Sequence, residues 1–413
     1  MEIKELEKAL LVGSYTSDKE KFKYSMEELK KLAESCNLEV FDVITQKIKN
    51  INPKTYLGSG KVEEIKHIVN VNDIDVIVLN DNLSTSQIRN IQEVVICRII
   101  DRTMLVLDIF AKRAKTKEAI IQVEIAQLKY ISSRISIFYE NFNERLGLRG
   151  PGETKYELDR RKIEKRISVL ENELKNMVLD RQIQRKKRSK NEIPIVSLVG
   201  YTNSGKSTLL NTLMEFSIKS QEDKYVQVED MLFATLETTT RQVLLENNKK
   251  FLLTDTVGFV SRLPHQLVKA FRSTLEEIRE SNLILHVIDL SNSNYLKQKQ
   301  ITEKVLIELG VKNIPIINVY NKIDIVENLK IEDGIFISAK NKQNINKLIF
   351  NISKEIFKNY KTVKMFIPYT HGQIFNNLKE NANVIKIDYN EEGMDLLVEL
   401  SEYFYYKYKS LIQ

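Results

Sequence analysis

Val196-Ser197-Leu198-Val199-Gly200-Tyr201-Thr202-Asn203-Ser204-Gly205-Lys206-Ser207-Thr208-Leu209-Leu210 reads as a buried strand, a glycine-bounded loop and the first turn of a helix. The loop has the form G-x-x-x-x-G-K-S, a phosphate cradle when strand and helix flank it in this way. Glycines allow a tight path in which several backbone N–H groups point at one anion. The helix that starts near Lys206 adds its positive dipole end. Lys206 is placed for the β- and γ-phosphates and Ser207 for Mg²⁺. The plainer alternative is a glycine turn between strand and helix, set aside because the flanks that the motif requires are present.

Working outward toward the C-terminus, strands are expected near Ile195–Val199, Val243–Leu245, Phe251–Asp255, Leu283–Asp289, Ile316–Asn321 and Gly334–Ser338, with helices between several of them. The alternation predicts a doubly wound α/β sheet whose functional loops lie at the C-terminal strand edge. Asp255-Thr256-Val257-Gly258 ends one strand, with Asp255 set to hold Mg²⁺ through water and the Gly258 N–H to sense a γ-phosphate. Asn321-Lys322-Ile323-Asp324 ends another. Asp324 can accept hydrogen bonds from N1–H and the exocyclic amine of guanine, whereas adenine would leave the carboxylate unpaired. The Lys322 stem can lie over the base plane, and Ser338-Ala339-Lys340 can close over the base through its backbone. In this order the elements describe a GTP site.

Between the loop and Asp255 lies Phe233-Ala234-Thr235-Leu236-Glu237-Thr238-Thr239. A GTPase needs one threonine here to complete the Mg²⁺ shell; Thr235 is the first choice and Thr239 the second. Phe259 follows Gly258, where Ras-like enzymes carry a water-orienting glutamine. Phenylalanine cannot orient water by hydrogen bonding, so intrinsic hydrolysis is expected to be slow and to depend on a partner.

Toward the N-terminus, residues 111–192 change character. Val123, Ala126 and Tyr130, then Ile163, Ile167, Leu170, Leu174 and Met177, recur at spacings of three and four. They predict two long amphipathic helices. Between them, three of the chain's 13 glycines fall in Gly147–Gly152 beside Arg145 and Arg149, so the connection reads as the exposed tip of an antiparallel hairpin. Asp159–Lys190 carries twelve basic and five acidic residues, a net charge equal to the +7 of the entire chain. Arg185-Lys186-Lys187-Arg188 is its densest run. Such a run is either a solvated face or a contact for a polyanion, most simply RNA phosphates.

Residues 1–110 alternate strand-like and helix-like segments, the pattern of a small parallel α/β domain. Ser25 with Glu28 resembles a capping box that opens a helix through Leu29 and Leu32. Gly58-Ser59-Gly60-Lys61 lacks the rest of a nucleotide loop and reads as a helix-initiating turn. Residues 361–413 read as a small α+β appendage with two strands joined by Tyr389–Gly393. The expected division is therefore 1–110, 111–192, 193–360 and 361–413.

Two cysteines in 413 residues cannot form a disulfide framework, and they suit a reducing cytoplasm. The charged start Met-Glu-Ile-Lys-Glu-Leu is not expected to act as a signal peptide. No uncharged apolar run approaches a membrane span.

Longer runs resemble the HflX family of ribosome-associated GTPases, within the Obg–HflX superfamily. These are Asp101–Ala111, Gly150-Pro151-Gly152-Glu153-Thr154 with Leu158-Asp159-Arg160-Arg161, Gly200-Tyr201-Thr202-Asn203 with Ser207, Phe233-Ala234-Thr235-Leu236, Thr239-Thr240-Arg241, Thr254–Phe259 and Leu263-Pro264-His265. Glu237-Thr238 stands where the family usually has Asp-Pro, and the tip before Gly150 carries fewer glycines than usual. The resemblance implies a ribosome-stimulated GTPase that binds the large ribosomal subunit, RNA and protein, and splits or rescues stalled ribosomes under stress. It implies Mg²⁺ held by Ser207 and Thr235. It also implies GTP held by Gly200 through Ser207, Phe233 through Glu237, Asp255 through Gly258, Asn321 through Asp324 and Ser338 through Lys340. Lys206, Thr235 and Gly258 would serve catalysis. The expected form is cytoplasmic and monomeric on the subunit, with no DNA partner and no integral membrane segment, and peripheral membrane association stays open. The rival is a GTP-switched assembly or regulatory adaptor that splits nothing. A third reading, an RNA-modifying enzyme centred in the N-terminal domain, finds no supporting residue cluster there.

Overall fold

The structure is a computed structural model and describes residues 6–134, 155–189, 193–218, 232–233, 239–261, 276–326 and 333–413. Side chains at 155–156, 180–189 and 247 fall outside that description. So do the hairpin tip at 141–154, residues 234–238 with Thr235, and 262–275. The chain divides into two compact units: Met1–Asp180 with Met231–Leu236 and Arg262–Arg272, and the remainder.

Unit 1 begins with a four-stranded parallel sheet. Its strands are β1 (Glu7–Tyr15), β2 (Leu38–Lys47), β3 (Val76–Leu79) and β4 (Arg98–Asp101), in the order β2-β1-β3-β4. Helices α1 (Lys19–Ser35), α2 (Ser59–Asn72), α3 (Thr85–Val94) and α4 (Arg102–Arg113) connect or follow them. Both faces of the sheet are covered, as a parallel sheet requires. Leu10 and Val12 pack with Val62, Ile65 and Ile88, while the alternate residues Ala9 and Leu11 are equally buried. Gly58 starts α2 without any side-chain cap, as its sequence suggested, and Ser84 starts α3 with a capping box to Gln87.

The helix that Ser25 and Glu28 were expected to open is instead capped seven residues earlier. Asp18 caps α1 by accepting from the Lys21 N–H, 2.9 Å away, and Phe22 stacks on Tyr15. Ser25 and Glu28 lie inside α1 and are buried. Ser25 Oγ donates to Asn80 Oδ1 at 3.0 Å, and Glu28 forms a buried ion pair with Arg102. Arg102 also donates to Asn80 Oδ1 at 3.1 Å. A buried charge must be paired, and its partner comes from 74 residues away.

Helices α5 (Lys117–Ser132) and α6 (Lys155–Ser189) form the helical region. Ile121, Ile125 and Leu128 pack on Leu170, Leu174 and Met177. Glu124 pairs with Arg166, and Lys117 with Glu173, so the two helices run antiparallel. These exposed pairs set register more than stability.

Unit 2 contains the six-stranded sheet, in the order β10-β9-β8-β5-β7-β6. Its strands are β5 (Ile195–Gly200), β6 (Thr239–Leu244), β7 (Lys250–Asp255), β8 (Leu283–Asp289), β9 (Ile316–Asn321) and β10 (Ile335–Phe336). Only β6 is antiparallel. The chain order reverses beside β5, and such a switch point leaves a crevice beyond the strand ends. Helices α7 (Lys206–Glu215), α8 (Tyr295–Glu308) and α9 (Ile345–Ile356) belong to this sheet, whose core includes Leu198, Leu209, Leu285 and Leu348.

The C-terminal piece has three antiparallel strands, not the two that were expected. β11 (Lys361–Pro368) and β12 (Asn383–Tyr389) flank β13 (Gly393–Leu400). Helices α10 (Gly372–Asn381) and α11 (Glu402–Lys407) complete it. Met365 and Ile367 alternate inward along β11, a period-two signal that the sequence reading passed over.

Candidate functional site: a phosphate loop and its strand-end partners

The quoted loop leaves β5 at Gly200 and enters α7 at Lys206. Gly205 has φ +91°, and a Cβ there would collide with the Asn321 carboxamide, so glycine is required for both reasons. Lys206 is buried and donates to the carbonyls of Tyr201 (2.8 Å) and Gly200 (3.2 Å). Burial lowers its pKa to about 8, opposed by the negative charge of Asp255. A cation held at such a desolvation cost gains most from an anion brought beside it.

Two hydroxyls in the loop, Thr202 Oγ1 and Ser204 Oγ, are buried without a hydrogen-bond partner among the described residues. Buried polar atoms are normally satisfied, so these orphans fit a cradle built for an anion. Ser207 Oγ donates to Asp255 Oδ2 at 2.6 Å. The hydroxyl and the carboxylate thus converge at the start of α7, a hard-oxygen pair of the kind Mg²⁺ takes beside phosphates.

The strand ends beside the loop are fastened to it. Asn321 Nδ2 donates to Ser204 O at 2.9 Å, and its Oδ1 accepts from the Ala339 N–H at 3.0 Å. One buried side chain therefore joins three of the segments picked out in the sequence. Lys322 has φ +68°, and its ammonium donates to Asn203 O (3.0 Å) and pairs with Asp289 (2.7 Å). Lys322 thus braces the phosphate loop, and Asp289 is a partner that sequence reading missed. Its position at the end of β8 was the available signal. Asp324 is exposed beyond Ile323. Ser338 and Ala339 are buried, with the Ala339 carbonyl accepting from Thr212 Oγ1 at 2.8 Å, while Lys340 is exposed.

Asp255-Thr256-Val257-Gly258 leads into a backbone clamp. The Phe259 N–H donates to Gly200 O at 3.2 Å, and the Thr202 N–H donates to Phe259 O at 2.7 Å. Tyr201 Oη accepts from the Ser261 N–H at 2.6 Å. A Cβ on Gly258 would lie 2.8 Å from Thr202 Cα and 3.0 Å from Lys206 Nζ. Gly258 thus lies close against Lys206 and the Thr202 backbone. Thr256 Oγ1 donates to Leu198 O at 2.6 Å, which commits that side chain to joining β7 and β5. Val257 is buried, and the Phe259 ring is fully packed.

Phe233, expected at the nucleotide, has its ring in unit 1. It is 1% exposed and meets Phe110 edge-on at 4.6 Å, while the neighbouring Leu232 N–H donates to Ser35 Oγ at 3.2 Å. Its aromatic side chain is a packing residue. Ala234, Thr235, Leu236 and Glu237 lie outside the described residues, and Thr239 begins β6.

Three family models match the chain: "GTP-binding GTPase N-terminal" over residues 23–111, "GTP-binding GTPase Middle Region" over 113–188 and "50S ribosome-binding GTPase" over 195–322. GTPase HflX of Caldanaerobacter subterraneus subsp. tengcongensis is 44% identical over 400 residues, 96% of this chain and 91% of that one. The chain belongs to the HflX family of GTPases. GTPase HflX of Escherichia coli is 40% identical over 342 residues, covering 82% of this chain and 78% of its own. A GTP-binding protein from Sulfolobus solfataricus, solved in complex with GDP, is similar over 86% of this chain and 99% of its own, with 27% identity and a TM-score of 0.47. As an HflX-family GTPase the chain takes GTP as its substrate, and the cradle around Lys206 is where the sequence motif and the orphaned hydroxyls coincide. Among the described residues no helix is long and apolar enough to cross a membrane.

Proposed function

We propose that this GTPase binds the large ribosomal subunit and uses GTP to split or rescue stalled ribosomes. The observation that carries the reading is the packing of Phe259. The position after Gly258 is 2% exposed and supplies an aromatic ring, with no hydrogen-bonding side chain for the attacking water. Intrinsic hydrolysis is then slow, and a partner completes the site. Activators acting in trans supply about 10³–10⁵ in rate elsewhere.

The ribosome is the partner favoured by the description of the matching GTPase model and by the basic helix α6. This helix is 35 residues long, so at 1.5 Å per residue it reaches about 50 Å. Outside its narrow apolar stripe, Arg160, Arg161, Lys162, Lys165 and Arg166 are exposed. Phosphate contact, not base stacking, suits such a face. In this reading segment 111–192 is the hairpin that reaches the ribosome and 193–360 the GTPase domain, with 1–110 an α/β domain and 361–413 an appendage.

In the GTP complex, backbone N–H groups of the loop and Lys206 hold the phosphates. Ser207 and Thr235 would hold Mg²⁺, with Asp255 assisting. Mg²⁺ would neutralise charge on the β- and γ-phosphates. Asp324 selects guanine. The Gly258 N–H reports the γ-phosphate. The working location is the cytoplasm, on the subunit as a monomer.

The test is GTP turnover with and without purified large subunits, together with light scattering from intact ribosomes. Stimulated turnover with falling scattering is the expected result. Stimulation without a fall in scattering would identify an assembly or regulatory adaptor instead. Absence of both would remove the ribosome from the reading. Neutralising Arg185, Lys186, Lys187 and Arg188 should make the dependence of log affinity on log salt shallower, by about one unit of slope for each phosphate no longer neutralised.

A further inference from the structure

Unit 2 holds a cavity of about 310 Å³ between the β6–β7 hairpin and the C-terminal sheet. It is separate from the phosphate loop and shares no residue with it. Its fourteen lining residues include three lysines, Lys249, Lys250 and Lys407, and no aspartate or glutamate. Three aromatic rings, Tyr360, Tyr403 and Phe404, complete one part of the wall, and four asparagines supply carboxamides.

Part of this polarity fastens the two sheets together. Lys249 pairs with Glu399 at 2.9 Å from outside the lining, and Asn383 donates to the same carboxylate at 3.0 Å. Asn248 donates to Lys379 O at 2.8 Å. The other lysines lack a countercharge among the described residues, although Lys250 also reaches across to the C-terminal piece. Lys250 bonds to a neutral group, Asn381 Oδ1, at 2.9 Å, and has no acidic partner among the described residues. Lys407 is exposed and likewise lacks an acidic partner there; its ammonium lies 5.5 Å from the ring centre of Tyr403 and 5.8 Å from that of Phe404. Tyr403 keeps 43% of its surface exposed.

Cations without a carboxylate partner, the exposed Tyr403 ring and carboxamides together form one kind of chemistry. Ammonium groups take phosphate, aromatic faces stack on bases, and asparagine pairs with base edges. A volume near the lower end of small-molecule sites holds one such unit. We infer that this cavity binds a nucleoside phosphate, with its base against Tyr403 and Phe404 and its phosphate toward Lys250 and Lys407. The inference is independent of ribosome binding.

The experiment uses the full chain with excess GDP and Mg²⁺, so that the phosphate loop is filled. Adenosine, adenosine monophosphate and a hexaribonucleotide carrying 2-aminopurine are titrated against it, and against the Lys407→Glu and Tyr403→Ala variants. AMP binding that exceeds adenosine binding, and that falls about tenfold or more in either variant, establishes a free-nucleotide site. A tenfold weakening corresponds to about 1.4 kcal/mol of binding free energy. Binding of the oligonucleotide alone, with the same weakening, establishes a site for one nucleotide of single-stranded RNA. Absence of binding by every probe, or binding unchanged in both variants, overturns the inference. If either variant loses GDP affinity, photolabelling of the unaltered protein with 8-azido-AMP decides. Label on Tyr403–Lys407 supports the site, and label elsewhere or none overturns it.

Discussion

Asn321 Nδ2 donates to the carbonyl of Ser204 at 2.9 Å, and this bond ties the end of β9 to the phosphate loop. The same carboxamide accepts from Ala339. Asn321→Ala removes both bonds and leaves a buried carbonyl and N–H unpaired. The expected cost is about 1–3 kcal/mol of stability in the nucleotide-free protein, with GDP binding weakened about tenfold or more. Denaturant unfolding and fluorescent GDP titration check this. Unchanged GDP affinity would mean that the three segments hold their places without Asn321.

Gly258→Ala places a methyl against the Thr202 backbone, which cannot move away as a flexible side chain would. Stimulated hydrolysis should fall by at least about tenfold, or 1.4 kcal/mol, while GDP affinity changes little. Single-turnover hydrolysis beside GDP titration separates the two effects. Equal loss of both would assign Gly258 to ground-state binding.

Asp324→Asn exchanges an acceptor for a donor at the guanine edge. Affinity for GTP should drop and affinity for the xanthine nucleotide should rise, because xanthine presents a carbonyl where guanine has its amine. Competition binding with both nucleotides reads this directly. An unchanged preference would count against the assignment of Asp324.

His286 lies on β8 beside Val199, 1% exposed. Burial lowers its pKa to about 4, with Lys299 and Lys206 adding to the effect. A folded-state pKa below the unfolded value means that the unfolded chain binds the proton first as pH falls. Its contribution is therefore present above about pH 6.5 and lost progressively between about 6.5 and 4. The full loss is on the order of 3 kcal/mol. His286→Leu should flatten that part of the stability profile, measured as unfolding midpoints against pH; parallel profiles would refute it.

Glu28→Ala leaves the Arg102 guanidinium buried beside Asn80 without its countercharge. Breaking a buried pair from one side costs about 3–5 kcal/mol. Urea unfolding of the N-terminal transition should show that loss, and Glu28→Gln should recover part of it by keeping a hydrogen-bond acceptor.

Local chemistry made the phosphate loop legible in the sequence. Gly200, Gly205, Lys206 and Ser207 need only their neighbours in the chain to suggest a cradle, and the strand ends at Asp255 and Asn321 follow from apolar runs that stop at polar residues, whereas the strand expected over Gly334–Ser338 is only Ile335–Phe336. Periodicity likewise found α5, α6 and most strands, with β8 and β9 placed to the residue. Tertiary structure decided whatever depends on a distant partner. Ser25 and Glu28 have the spacing of a cap, yet they are buried because Asn80 and Arg102 come to meet them. Phe233 sits in the stretch expected at the nucleotide, yet its ring is held by Phe110. Lys322 braces the loop because Asp289 stands beside it, and the cationic cavity near Lys250 exists because two sheets far apart in sequence meet there. A motif records which backbone shapes and charges a segment can present; only packing determines which of its side chains remain free to use them.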